Sequence, residues 1–306
     1  MKMLSILDLQ LHADVIREDI IVSLAAAKSG HSAGPLGMAD IFTALYFRVM
    51  KHNPRKPLWD GRDRFVLSNG HICPVLYATL ANAGYFPKKE LLTLRKLGTR
   101  LQGHPHREVL PGLETTSGPL GSGLSQAAGM ALGLRINKKE NLVFCVCSDG
   151  EQNEGNHWEA VMFAAKNKLS NLIAITDRNY IQIDGQTEDI MPLDPLDAKY
   201  KAFNWNVVTI DGNSMTQVVD ALMTARFNKD RPLMIIAKTV PWKGVDFMEN
   251  DYRWHGAPPG GLKTEKSPEK DRQMVVALSE IHAKEEQERG AWYKTHQKLK
   301  PLHSKR

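Results

Sequence analysis

The chain has 306 residues, 42% hydrophobic and 24% charged, a composition that excludes disordered and fibrous classes and allows a sizeable core. Its net charge of +6 invites a nucleic-acid partner, but the excess gathers in the terminal KTHQKLKPLHSKR rather than on a patch interleaved with aromatics, so no nucleic-acid role is expected. No apolar run reaches the roughly 18–20 residues that span a bilayer, and MKMLSILDLQ lacks a secretory apolar region, so no membrane partner and a cytoplasmic location are expected.

Over 13–28, Val15, Ile16, Ile20, Ile21 and Leu24 recur near helical spacing and predict an amphipathic helix ending at Ser29-Gly30-His31. SAGPLG follows as a breaker-rich loop, and a second helix is expected from Met38 to about Met50. The glycine-rich stretch 113–123 (LETTSGPLGSG) opens a further helix. Apolar runs at 141–147 (NLVFCVC), 172–176 (LIAIT), 205–210 (WNVVTI) and 233–238 (LMIIAK) alternate with helical patterns at 156–168 and 216–227. Strands this apolar predict an α/β fold whose parallel sheet is covered by helices on both faces. Past His255 the chain turns loop-like, and a last helix is expected over 271–289, with Met274, Leu278 and Ile281 as its apolar stripe. The organisation expected is one domain over 1–265 and a C-terminal helix with a basic tail over 266–306. The three cysteines suit neither a disulfide framework nor a CxxC metal pair, and Cys145 and Cys147 read as buried strand residues.

Ligands of open parallel sheets bind at the carboxyl ends of the strands. Asp149 and Gly150 end one predicted strand, and Asn179 follows the next. If those strands are close neighbours, the two polar side chains converge. A hard cation such as magnesium takes oxygen ligands, few from protein and the rest from phosphate and water. An Asp carboxylate, an Asn amide oxygen and a backbone carbonyl suit it. Gly150 lets backbone approach a phosphate, and a helix starting near Asn156 offers free N–H groups. An isolated Asp-Gly after a strand is more often a turn. The Asn one helix-plus-strand later, and the IQIDG segment behind it, favour the site.

Of eleven histidines, His31, His71, His104 and His255 lie in glycine-rich loops, where imidazoles donate to phosphate, bind hydroxyls and shuttle protons. His12, His52, His157, His282, His296 and His303 read as surface or packing residues.

SDGEQNEGNHWEA followed by ITDRNYIQIDG resembles the thiamine diphosphate motif: an acidic glycine box, then an Asn after an intervening helix and strand. The segments around the four histidines, KSGHSAGPLGMADI, LSNGHICPVLY, LQGHPHR and WHGAPPG, are each similar to a transketolase motif, as is ETTSGPLGSG. The resemblance implies a thiamine-diphosphate-binding fold that holds thiamine diphosphate through Mg2+, with Ca2+ or Mn2+ as substitutes. It implies Asp149, Asn179 and the Ile181 carbonyl as metal ligands. It assigns the cofactor to His71, Gly118, Leu120, Gly150, Glu154, Asn179, Ile183 and His255, and catalysis to His31, His104 and His255. Glu154 and Glu159 stand at the family's glutamate positions. Ser148 for the box's first glycine, Ser32 for a usual proline, His106 and Pro259 depart from the pattern without removing an imidazole.

The resemblance runs from about residue 13 to the PPG after His255. Transketolases also carry a pyrimidine-binding domain and a third domain, so the expectation is a split enzyme. This chain would pair with a C-terminal transketolase subunit in a heterotetramer acting on sugar phosphates. Two other readings stay open: the α subunit of another thiamine diphosphate enzyme, such as a 2-oxo acid dehydrogenase or a deoxyxylulose phosphate synthase, and a non-catalytic cofactor-binding half.

Overall fold

The computed structural model describes residues 4–297. The first helix, α1 (Ile6–Ala27), starts earlier than its apolar spacing alone suggests, because Ser5 and Asp8 form a capping box. Ser5 Oγ accepts from Asp8 N at 3.1 Å, and the Asp8 carboxylate accepts from Ser5 N at 2.9 Å. Leu9, Ile16, Ile20 and Leu24 are wholly buried along it. The expected second helix is divided into α2 (Ala33–Gly37), α3 (Ala39–Ala44) and a π turn over Leu45–Val49.

A strand not expected from the sequence, β1 (Arg64–Leu67), leads to α4 (Cys73–Asn82) and α5 (Ser122–Ile136). Then β2 (Val143–Ser148), α6 (Gly155–Lys166) and β3 (Leu172–Arg178) form the centre. A small hairpin of β4 (Ile181–Gln182) and β5 (Gly185–Gln186) precedes α7 (Thr187–Ile190) and α8 (Leu196–Ala202). The chain continues with β6 (Asn206–Asp211), α9 (Met215–Ala225), β7 (Leu233–Lys238) and α10 (Gln273–Gln297). The five main strands are all parallel, in the order β1-β2-β3-β7-β6.

Successive strand residues face opposite sides of a sheet, and along β2, β3 and β7 both sides are buried. Phe144, Val146, Ile173 and Ile175 pack under α1, α3 and α4, while Cys145, Cys147, Ala174 and Met234 pack under α5 and α6. This is why β2, β3 and β7 read as continuous apolar runs. β1 has only four residues, RFVL, and opens on a half-buried arginine, which leaves too little pattern to see.

The C-terminal helix rests on α1. Ile281 of the expected stripe is buried in the α1 core beside Ala277, and Leu278 packs partly buried against it, while Met274 is 37% exposed. Among the described residues no helix is long and apolar enough to cross a membrane. Positions 298–306, most of the basic tail and His303, lie outside the described residues, as does the His296 side chain.

Beneath α10, Arg17 is paired with Asp14 at 2.9 Å and with Asp40. Glu288 of α10 faces the same group, with Glu285 beside it. Burial, then Asp14 and Asp40, push its carboxyl from 4.5 up to about 7 against the opposing Arg17. Its Oε2 is buried with no hydrogen-bond partner among the described residues. An acid whose pKa is raised on folding binds its proton more tightly in the native state, so stability falls as pH rises from about 4.5 to about 7. Glu288→Gln is expected to leave stability near pH 4.5 unchanged and to raise it at pH 8 by about 1 kcal/mol, the scale of partly exposed charge pairs. Thermal melts at the two pH values check this.

Candidate active site

Ser148 lies opposite Asp177 in the β2–β3 ladder, so the carboxyl ends of these strands are direct neighbours. Asp149, 1% exposed, leaves β2 there. Its Oδ2 accepts from Arg178 Nη1 at 3.0 Å, Tyr180 N at 2.9 Å and Thr187 Oγ1 at 3.2 Å. Its Oδ1 accepts from Gly150 N at 2.7 Å. Burial raises the carboxyl's pKa, and Arg178 opposes that rise. Asn179 Oδ1 accepts from Ile181 N at 3.0 Å, and its Nδ2 donates to Asp177 at 3.0 Å. Between them Tyr180 takes a left-handed φ of 64°, unfavourable for a side chain with a Cβ. The Tyr180 N to Asp149 bond holds it there. Arg178 belongs to β3, which runs two residues beyond the apolar stretch, and is 1% exposed.

Three of the four loop histidines form a triangle. Ring centroids of His31 and His71 lie 5.0 Å apart, of His31 and His255 5.5 Å, and of His71 and His255 5.8 Å. Burial pushes His31 and His255 down to about 4 and His71 well below its ordinary value. Burial and the nearby Arg95 lower His104 as well. All four are therefore neutral at pH 7, each with one donor and one acceptor nitrogen. His12, His52, His157 and His282 stay outside this group. His12 bonds the Asp8 carbonyl, His52 the Tyr46 carbonyl and Tyr85, His157 Tyr200, and His282 Glu18.

One cavity of about 350 Å³ gathers the expected residues. His31, His71, His104 and His255 line it, with Gly118 and Leu120 from the glycine-rich loop. Asp149 and Gly150 just after β2, and Asn179, Ile181 and Ile183 beyond β3, complete the wall. Glu154 is not on it. Exposed, it caps α6 in an extended backbone conformation, and a Cβ built at Gly121 would meet its Cβ at 2.8 Å. Glu159 is also exposed. The start of α6 at Gly155 leaves the 3-10 turn Gly150–Asn153, rather than α6, against the cavity.

The glutamate that lines the cavity is Glu151, passed over in the sequence. It is 1% exposed. Its Oε1 accepts from Ser68 Oγ and from Gly121 N at 3.0 Å, and its Oε2 from Ser148 N at 2.9 Å. Ser68 Oγ in turn accepts from Gly123 N at 3.1 Å. One carboxylate thus ties the ends of β1 and β2 to the glycine-rich loop. Gly121 has a φ of 77°, and its absent Cβ would stand 2.2 Å from Asn156 Oδ1, so only glycine fits. Cys147, Glu151 and His157 bring ligand-type atoms within 4.8 Å of one another. Glu151 is engaged by its donors and His157 Nε2 by the Tyr200 hydroxyl, while His157 Nδ1 has no partner among the described residues.

The cavity fits an anionic, metal-held cofactor. His31 and His255 each present a buried Nδ1 without a partner among the described residues. A Cβ at Gly118 would meet nothing within 4 Å, so the loop leaves open space there. Asp149 and Asn179 supply hard oxygens at the strand ends. The family described as "Transketolase, thiamine diphosphate binding domain" matches residues 9–271. The chain belongs to the transketolase family.

Its match is to the part of a transketolase that binds thiamine diphosphate, and the parallel sheet with flanking helices is the fold shared with solved transketolases. It is 43% identical over 249 residues to the 6-deoxy-6-sulfo-D-fructose transketolase subunit SqwG of Clostridium sp. (strain MSTE9), covering 81% of this chain and 90% of that one. It is 36% identical over 270 residues to an apulose-4-phosphate transketolase subunit of Phocaeicola vulgatus, covering 88% of this chain and 96% of that one. The transketolase from Leishmania mexicana superposes with a TM-score of 0.78 at 31% identity, over 96% of this chain and 48% of its own. This chain therefore spans about half the length of that solved transketolase.

Proposed function

We propose that the chain is the thiamine diphosphate- and Mg2+-binding subunit of a split transketolase, moving a two-carbon ketol unit from a ketose to an aldose together with a partner. The convergence of the His31–His71–His255 triangle on the cavity that holds Asp149 and Asn179 carries this reading. Thiamine diphosphate, when bound, supplies the carbon nucleophile and electron sink for breaking the ketose carbon–carbon bond. Asp149, Asn179 and the Ile181 carbonyl hold the cation, and Gly150 and His71 face the diphosphate. Gly118, Leu120, Ile183 and His255 would lie along the rest of the cofactor, whereas Glu154, exposed and outside the cavity, is left out of the site. His31, His104 and His255, as neutral imidazoles, bind sugar hydroxyls and move protons.

The partner is a C-terminal subunit with pyrimidine-binding and third domains, joined as a heterotetramer in the cytoplasm. Two relatives whose length this chain nearly spans, 90% and 96%, are themselves named as subunits, which supports that division. Leu120 and Ile183, 39% and 68% exposed at the cavity rim, are apolar surface for a partner to cover. Those relatives are named for a sulfonated and a phosphorylated sugar, so an anionic sugar, such as a sugar phosphate, is the substrate class. The domain boundary at 265/266 separates the cofactor-binding unit from α10 and the tail.

Ketol transfer to an aldose acceptor, assayed with the purified chain alone and after reconstitution with the protein that co-purifies with it, tests the division. Transfer is expected only in the mixture. Full-rate transfer by the chain alone overturns it.

A further inference from the structure

The Asp149 carboxylate is held asymmetrically. Three donors occupy Oδ2, and a single backbone N–H reaches Oδ1. The strongest of the three is Arg178, because its guanidinium is charged, rigid and as buried as the carboxylate itself. Arg178 is a fork. Nη1 reaches Asp149 at 3.0 Å, while Nη2 reaches outward to Glu188 and, at 3.3 Å, to Asp194. Its Cζ stacks 4.0 Å over the Tyr180 ring, fixing the plane of the fork. Glu188 also accepts from Leu193 N at 3.1 Å, so the outer arm is anchored to the segment behind α7.

We propose that Arg178 is the positioning residue of the cation site: it fixes Asp149 Oδ2, leaving Oδ1, which accepts from Gly150 N, as the oxygen a cation would meet, and Glu188 and Asp194 hold Arg178 in that pose. The inference rests on the proposed cation at Asp149. A ligating carboxylate held by outer hydrogen bonds binds its metal better, and losing such a partner typically costs 10–100-fold in affinity. Charge alone argues the opposite way. A guanidinium 3.0 Å from the ligand repels a divalent cation, so removing it would tighten binding if orientation did not matter.

Mn2+ titration of the full chain with saturating thiamine diphosphate, followed by the loss of the free-ion paramagnetic resonance signal, separates the two. Arg178→Gln and Arg178→Lys are both expected to weaken Mn2+ binding about 10–100-fold, since lysine keeps the charge but not the fork. Glu188→Gln with Asp194→Asn touches neither Asp149 nor the cavity wall, and is expected to weaken it several-fold while the thermal midpoint stays near wild type. Unchanged or tighter Mn2+ binding in the Arg178 variants, with the wild type binding normally, overturns the positioning role alone. A wild-type chain that binds no Mn2+ either alone or with its co-purified partner overturns the cation site, and this inference with it.

Discussion

Asp149→Ala is expected to lower the affinity for thiamine diphosphate with Mg2+ by more than about 100-fold, because outer partners of a metal ligand alone are worth 10–100-fold. The same substitution has a structural cost. Breaking a buried ion pair by removing one partner costs about 3–5 kcal/mol, chiefly by leaving the other charge unpaired. Arg178 keeps Glu188 and Asp194, so the loss belongs at the lower end of that range. Tyr180 N and Thr187 Oγ1 also lose their acceptor. Asp149→Asn keeps the shape and an acceptor oxygen but not the charge. It should retain most of the stability and little of the affinity. Calorimetric titration and urea denaturation of both variants separate the two effects.

Glu151→Ala is expected to destabilise the fold by about 3–5 kcal/mol. It strips the acceptor from Gly121 N, Ser148 N and the Ser68 hydroxyl, all in buried surroundings. Each buried donor left unsatisfied costs about 1–3 kcal/mol. The loss falls on the cavity, since these donors belong to the three segments that meet there. The glycine-rich loop carrying Gly118 and Leu120 should loosen, and cofactor affinity should drop about 10-fold, one power of ten per 1.4 kcal/mol. Denaturant melts give the stability term. Hydrogen exchange at Gly121 and Gly123 shows whether the loop is the part released. Protection unchanged at both amides contradicts the account.

The centre of the fold was legible because parallel strands buried on both faces must be apolar throughout. The polar residues that end them, Asp149 and Asn179, therefore stand out against β2 and β3. That the two meet followed only once β2 and β3 proved to be neighbours. The four histidines were legible as residues but not as a group: His31 precedes α2, His71 follows β1, and His255 lies beyond β7. Only the topology brings them to one edge. Arg178 was invisible because the apolar stretch stops at Thr176, so a fully buried arginine looked like a loop residue. Glu154 came from the resemblance alone, and nothing local to the sequence singles out Glu151; the 3-10 turn after Gly150 puts Glu151 against the cavity and leaves Glu154 exposed. Nothing local in Ser68 or Gly121 signals that they share its carboxylate, since their contacts span 83 and 30 residues.

The central claim is a half-site that grips the diphosphate end of thiamine diphosphate through a cation at Asp149 and Asn179. Calorimetric titration of thiamine diphosphate into the chain, alone and with its co-purified partner, in Mg2+ and then in a chelator, tests it most directly. The account predicts binding that requires the cation and is lost in Asp149→Ala. Absence of binding with Mg2+ both with and without the partner, or equal binding in the chelator, would contradict it.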